Sequence, residues 1–83
     1  MATFGYLGGN EDFHHNKANN AALNLRNSMA EWRTYKKGPT RTEIGVRLAV
    51  LAGRILAHID SQQDPDIALK TTVMQSVHEL ERG

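Results

Sequence analysis

The fold of this chain is decided by the stretch EIGVRLAVLAGRILAHI, which runs from Glu43 to Ile59. Most of its residues are apolar, but Arg47, Arg54 and His58 interrupt it. A membrane-spanning helix needs about 20 predominantly apolar residues, and two arginines near its centre would be costly in lipid. We therefore expect a helix that is covered by protein surfaces, and no membrane span.

The stretch divides into faces, because successive residues of an α-helix are rotated by about 100°. One face carries bulky apolar side chains, and we expect it to contact the core: Ile44, Leu48, Ala52, Ile55 and Ile59. A second face carries small residues at four-residue spacing, extended by two valines: Gly45, Ala49, Gly53, Ala57, Val46 and Val50. Only a narrow polar line remains.

The second face suggests self-association. Two neighbouring helices would leave exposed a sector wider than the polar line, and small residues four apart allow helices to approach closely. Glycine also costs about 1 kcal/mol relative to alanine in a helix, which close packing would offset. We predict an isologous homodimer through this face. The alternative is that Gly45 and Gly53 accommodate Trp32 or another large side chain within one monomer.

Helix breaks lie on both sides of the stretch, at GP (38–39) and DP (64–65). Proline blocks the continuation of a helix, and glycine is common just past a helix end. Each break also resembles a helix start. Thr40 followed by Glu43 predicts a capping box, and Asp64 before proline predicts an N-cap. The sequence thus predicts an all-α three-helix bundle.

The predicted helices span about 11–37, 41–62 and 65–82. Together they form a single helical domain (10–83), preceded by a flexible arm (1–9). The first helix has a heptad seam, which predicts its core contacts: Ala18, Ala22, Leu25, Met29 and Trp32. The third helix has a similar apolar stripe: Leu69, Val73, Val77 and Leu80.

The first helix opposes its seam with a run of asparagines: Asn16, Asn20, Asn24 and Asn27. Asparagine is a mediocre helix former, and solvated helix faces usually carry Glu and Lys instead. The run is either a merely polar face or a hydrogen-bonding surface for a partner protein. The arm adds Tyr6 as a candidate partner anchor, and its alternative role is packing on the protein itself.

The turn WRTYKKGPTR (32–41) concentrates cations among aromatic residues. This combination binds phosphate and stacks on bases, which predicts an anion, nucleotide or nucleic-acid site: Arg33, Lys36, Lys37, Arg41 and Tyr35. Cations at a helix C-terminus are also ordinary complements of the helix dipole. A helix-turn-helix DNA reader is a weaker alternative, because the third helix would present Asp64 and Asp66 to phosphate.

Composition sets further limits. The 83 residues are 40% hydrophobic and 23% charged, as in ordinary globular domains, which argues against disorder of the body of the chain. No cysteine and no secretory signal occur, which fits a reducing compartment such as the cytoplasm. The net charge of +1 hides a basic middle (17–54) between acidic ends. This asymmetry allows an anionic partner, or head-to-tail or antiparallel pairing within the protein, which we favour.

No pattern of residues indicates catalysis. The serines lack a base at a recognisable spacing, and the adjacent His14 and His15 cannot share a metal as an i, i+4 pair does. We therefore expect neither an enzyme, nor a metal site, nor a cofactor. The prediction is a non-catalytic helical protein that self-associates and sequesters or inhibits a partner, by analogy with small adaptors and antagonists of bacteria or phages. The alternative is an anionic-ligand binder that uses the turn at 33–41.

Overall fold

The computed structural model describes residues 9–83, and their side chains from Lys17 onward. Three helices follow one another: α1 (Gly9–Trp32), α2 (Pro39–Asp60) and α3 (Ile67–Arg82). α2 packs against both other helices, and α1 and α3 also contact each other. Residues 9–83 contain no strand, so the predicted all-α three-helix bundle is confirmed. The predicted N-terminal arm, including Tyr6, lies outside the described residues apart from Gly9, where α1 begins.

The core consists of the residues that the helical periodicity predicted. α1 contributes Ala18, Leu25, Met29 and Trp32, and α2 contributes Leu48, Ala52, Ile55 and Ile59. α3 adds one fully buried side chain, Val73. Partly buried apolar residues of all three helices pack around this cluster. No polar or charged residue is buried among the side chains from Lys17 to Gly83. Apolar burial therefore holds the bundle together.

α1 ends at Trp32, earlier than the predicted Lys37. The hydroxyl and the backbone N–H of Thr34 both donate to the carbonyl of Glu31, and the N–H of Tyr35 donates to the carbonyl of Trp32. These tight three-residue bonds close the helix before Gly38 and Pro39 are reached. The prediction was wrong because it relied on the first helix-breaking residues in the sequence.

The predicted starts of the other two helices were wrong by two residues each. Gly38 is the N-cap of α2, with Pro39 in the first turn and no side-chain cap, so Thr40 forms no capping box. Proline suits this position because its ring fixes a helical φ. Asp66, rather than Asp64, caps α3, and its Oδ1 atom accepts a hydrogen bond from the N–H of Leu69 at 3.0 Å.

The two glycines of α2 have different surroundings. A Cβ atom added at Gly45 would lie 3.3 Å from Nε1 of Trp32 and 3.8 Å from Cδ2 of Leu80. A Cβ atom added at Gly53 would meet nothing within 4 Å. A side chain at position 45 would therefore press on Trp32 and force the indole to shift by a few tenths of an ångström, whereas no described residue restricts position 53.

This difference gives a matched pair of variants. Gly53→Ala should raise the free energy of unfolding by about 1 kcal/mol, because alanine is the better helix former and the added methyl meets no neighbour. Gly45→Ala should leave the free energy of unfolding nearly unchanged, about 1 kcal/mol below that of Gly53→Ala, because its methyl group presses on Trp32. Urea denaturation measures both, at protein concentrations where the midpoint is independent of concentration. Equal gains would show that Trp32 does not restrict Gly45.

Candidate interaction surface

One face of α2 is not covered by the side chains that the structure describes. Five residues of it are exposed, and we call them the open face: Val46, Ala49, Val50, Gly53 and Ala57. Val46 keeps 59% and Val50 keeps 51% of its surface accessible. At about 100° per residue these five residues occupy one continuous sector of the helix. Gly45, which shares their spacing, lies at the edge of this sector and contacts Trp32.

The open face continues beyond α2 at one end, and α2 contacts α3 again near its other end. An open cavity of about 370 Å³ runs from Val46 and Ala49 to Leu80 at the end of α3, and Lys37 also lines it. Further along, Lys70 of α3 bonds Asp60 of α2 at 2.8 Å. Met74 lies one turn after Lys70 on the same side of α3 and is 40% exposed. The cavity therefore connects the open face of α2 to Leu80 of α3.

The polar line beside the open face is formed by Arg47, Arg54 and His58, and its two arginines are exposed. Arg47 pairs with Glu43 at 3.3 Å, and more than two thirds of each side chain is accessible (77% and 70%). Arg54 is also exposed. Exposed pairs of this kind contribute at most about 1 kcal/mol to stability. The line therefore bounds the apolar face without holding the fold together.

Arg41, one of the predicted anion-site residues, is engaged inside the fold. Its guanidinium lies 4.1 Å from the ring centre of Trp32, whose Nε1–H donates to the carbonyl of Arg41 at 2.9 Å. Nη1 of Arg41 donates to the carbonyl of Tyr35 at 2.6 Å, with longer contacts to the carbonyls of Arg33 and Trp32. Nη2 donates to the backbone oxygen of Gly83 at 3.3 Å. Arg41 thus joins the ends of α1 and α3 to the start of α2.

Arg33 also has a partner within the chain. Its Nε and Nη2 atoms donate to the two carboxylate oxygens of Glu79 at 2.6 and 2.7 Å, a two-point contact between α1 and α3. Of the predicted anion-site residues, Lys36, Lys37 and Tyr35 remain exposed without a side-chain partner among the described contacts. All five residues therefore lie at one turn, but only the side chains of Tyr35, Lys36 and Lys37 are free to contact a ligand.

The Arg33–Glu79 contact should make stability depend on pH. Its hydrogen bonds hold the pKa of Glu79 below the ordinary value, although partial burial acts in the opposite direction. Since the folded pKa is depressed, this contribution is complete above about pH 4.3 and is lost as the pH falls through the folded value. Glu79→Gln should lower stability at pH 7 and flatten the acid limb of stability against pH, measured by urea denaturation. Glu81→Gln is the control, and an unchanged acid limb in Glu79→Gln would contradict the assignment.

The asparagines of α1 face away from the bundle. Asn20, Asn24 and Asn27 are exposed, whereas the side chain of Asn16 lies outside the described part. Helical spacing puts the three on one surface opposite Leu25 and the other core residues. This surface offers amide donors and acceptors, and the exposed Leu23 lies between Asn20 and Asn27 at helical spacing.

A second groove, between α1 and α3, was not predicted. It has a volume of about 600 Å³ and is lined by Leu23, Arg26, Leu69 and Thr72, among others. Leu23 is 53% exposed because it lies off the heptad seam of α1. That offset is visible in the sequence. The sequence prediction did not include it, because the predicted contacts of α1 were limited to residues on the seam.

The described residues form neither a cluster of metal-binding side chains nor a membrane-spanning helix. Among the described residues, no group of three or more His, Asp or Glu side chains is placed to hold a metal ion. None of the helices within residues 9–83 is long and apolar enough to cross a membrane.

Comparison with known proteins gives no match. No family model, curated protein or solved structure is significantly similar to this chain.

Proposed function

We propose that this chain is a non-catalytic helical binding protein that self-associates through the open face of α2 and sequesters or inhibits a partner. The observation that carries the proposal is the exposure of Val46 and Val50 beside Gly53, where no described residue fills the space. Burying apolar surface contributes about 25 cal/mol per Å², so two exposed valines on each of two copies favour association. Close packing at Gly53 would also offset its helix-propensity cost.

Partner binding is proposed for a different surface. Asn20, Asn24 and Asn27 point away from the bundle, so they stay accessible when α2 is covered. Amide side chains donate and accept hydrogen bonds, which suits a protein surface rather than a purely anionic ligand. Sequestration by a dimer would present two such surfaces, one on each copy.

The anionic-ligand alternative has less support. Arg33 and Arg41 are engaged by Glu79 and by backbone carbonyls, which leaves Lys36 and Lys37 as its free cations. The test is restricted to these two lysines, because altering Arg41 would also disturb the fold. Binding of an oligonucleotide that weakens steeply with salt, and that is lost in Lys36→Gln/Lys37→Gln, would favour this alternative.

Self-association is tested by the dependence of thermal stability on concentration. If two copies associate, the midpoint of thermal unfolding should rise as the concentration increases, because mass action stabilises the associated state. Native mass spectrometry of the protein purified from its host should show a species of twice 9.2 kDa, alone or with a bound partner. A constant midpoint and a 9.2 kDa species throughout would contradict the proposal.

A further inference from the structure

We infer that two copies pack with their α2 helices antiparallel, so that Val50 of each copy lies opposite Gly53 of the other and Val46 opposite Ala57. This inference rests on the proposed self-association and specifies its geometry. It follows from two independent asymmetries of the chain, one in side-chain size and one in charge.

Side-chain size is unevenly distributed along the open face. The two valines occupy its N-terminal half, and Gly53 and Ala57 occupy its C-terminal half. An antiparallel pair places the large residues of each copy against the small residues of the other, which fills space evenly. A parallel pair would place Val46 against Val46 and Gly53 against Gly53, so that one end is crowded and the other has a gap.

Charge is unevenly distributed in the same sense. The segment around the start of α2 (33–41) carries four cations and no carboxylate, and the segment around its end (60–66) carries three carboxylates and no cation. Arg33 and Asp60 are already paired with Glu79 and Lys70. Lys36, Lys37 and Asp64 are engaged by no other described residue. The 22 residues of α2 hold these turns about 33 Å apart, well beyond the Debye length of about 8 Å, so they do not neutralise each other within one chain. An antiparallel pair sets each basic turn beside the acidic turn of the other copy.

The ends of α2 must take part in the contact. The open face from Val46 to Ala57 is only about 17 Å long, whereas stable dimers bury about 800 Å² on each partner. The contact therefore extends along the cavity toward Lys37 at one end, and past Ala57 toward Asp60 and Asp64 at the other. Lys37 and Asp64 are both exposed, and neither has an ion-pair partner among the described residues. Charge complementarity at the turns thus identifies the occupant as a second copy of this chain.

A charge-exchange experiment addresses the turns. Lys37→Glu alone and Asp64→Lys alone should each weaken the dimer by about tenfold at low salt, because both symmetry-related contacts become repulsive. An equimolar mixture should regain wild-type affinity, since in the mixed dimer both contacts are attractive. The differences should fade in 1 M salt. A mixture no tighter than either variant alone would overturn the pairing of the turns.

Cysteine cross-linking tests the orientation directly, because the chain contains no cysteine of its own. Val46→Cys and Ala57→Cys both lie at exposed positions, and circular dichroism verifies that each variant folds. In the antiparallel arrangement two copies of residue 46 are about 17 Å apart along the axis, too far for a disulfide. Residue 46 of one copy and residue 57 of the other lie at the same position along the paired helix axes. Oxidation should therefore cross-link the mixture of the two variants and neither variant alone.

The other outcomes are distinguishable. Cross-linking of each variant alone would indicate a parallel pair, which overturns the antiparallel inference and leaves self-association standing. A dimer by mass with no cross-link in any sample would overturn the use of the open face. Monomers by mass in the wild type and both variants would contradict the proposed self-association itself.

Discussion

Trp32→Ala is expected to lower the free energy of unfolding by about 3–5 kcal/mol. Trp32 is only 2% exposed, and its indole contacts Gly45, stacks under Arg41 and donates a hydrogen bond to the carbonyl of Arg41. Alanine would leave a cavity at the point where Arg41 joins the ends of the three helices. Since a domain of this size has a total stability of about 4–12 kcal/mol, much of it would be lost.

Urea denaturation measures this loss, with two companion variants. Trp32→Phe keeps an aromatic ring but removes the N–H donor, so it should cost about 1–2 kcal/mol, less than the alanine variant. Tyr35→Ala is the aromatic control, because Tyr35 is 38% exposed and surface substitutions change stability by about 0.5 kcal/mol or less. A loss below about 1 kcal/mol in Trp32→Ala would show that the ends of the helices are held elsewhere.

Val50→Lys is expected to weaken self-association by about a hundredfold or more. The substitution places an unpaired ammonium group in the middle of the open face on both copies, and burying one such charge costs several kcal/mol. Within a single chain the lysine remains in solvent, because Val50 is already 51% exposed. The fold should therefore keep its stability while the dimer is lost.

Leu23→Lys is the matched control for this prediction. Leu23 is 53% exposed, close to the value for Val50, but it lies on α1 beside the groove toward α3. Both substitutions replace a half-exposed aliphatic residue by lysine near the middle of a helix. They separate a specific effect of the open face from a general effect of added charge or lost hydrophobicity. Equal weakening of self-association by the two variants would show that the open face does not mediate it.

The helical periodicity was sufficient to predict the core. The seam that ends at Trp32 and the stripe from Ile44 to Ile59 follow the spacing of a helix, and both are buried or partly buried as expected. Periodicity also separated the open face from the core face of α2. These features depend on residues close together in the sequence, which is why the sequence reveals them.

The end of α1 and the role of Arg41 depend on contacts between distant residues. Arg41 caps carbonyl groups that lie six to nine positions earlier, at Trp32, Arg33 and Tyr35. No local pattern distinguishes this arginine from an anion-binding one. Likewise, Gly45 and Gly53 both belong to the small residues at four-residue spacing in α2, but only Gly45 lies beside Trp32. The packing of the three helices decides such cases.

The most direct measurement of the central claim is sedimentation equilibrium of the wild-type chain, Val50→Lys and Leu23→Lys at matched concentrations. The wild type and Leu23→Lys are expected to approach twice 9.2 kDa, while Val50→Lys remains near 9.2 kDa. A monomer mass for all three proteins at micromolar concentration, or a dimer mass that Val50→Lys does not change, would contradict self-association through the open face of α2.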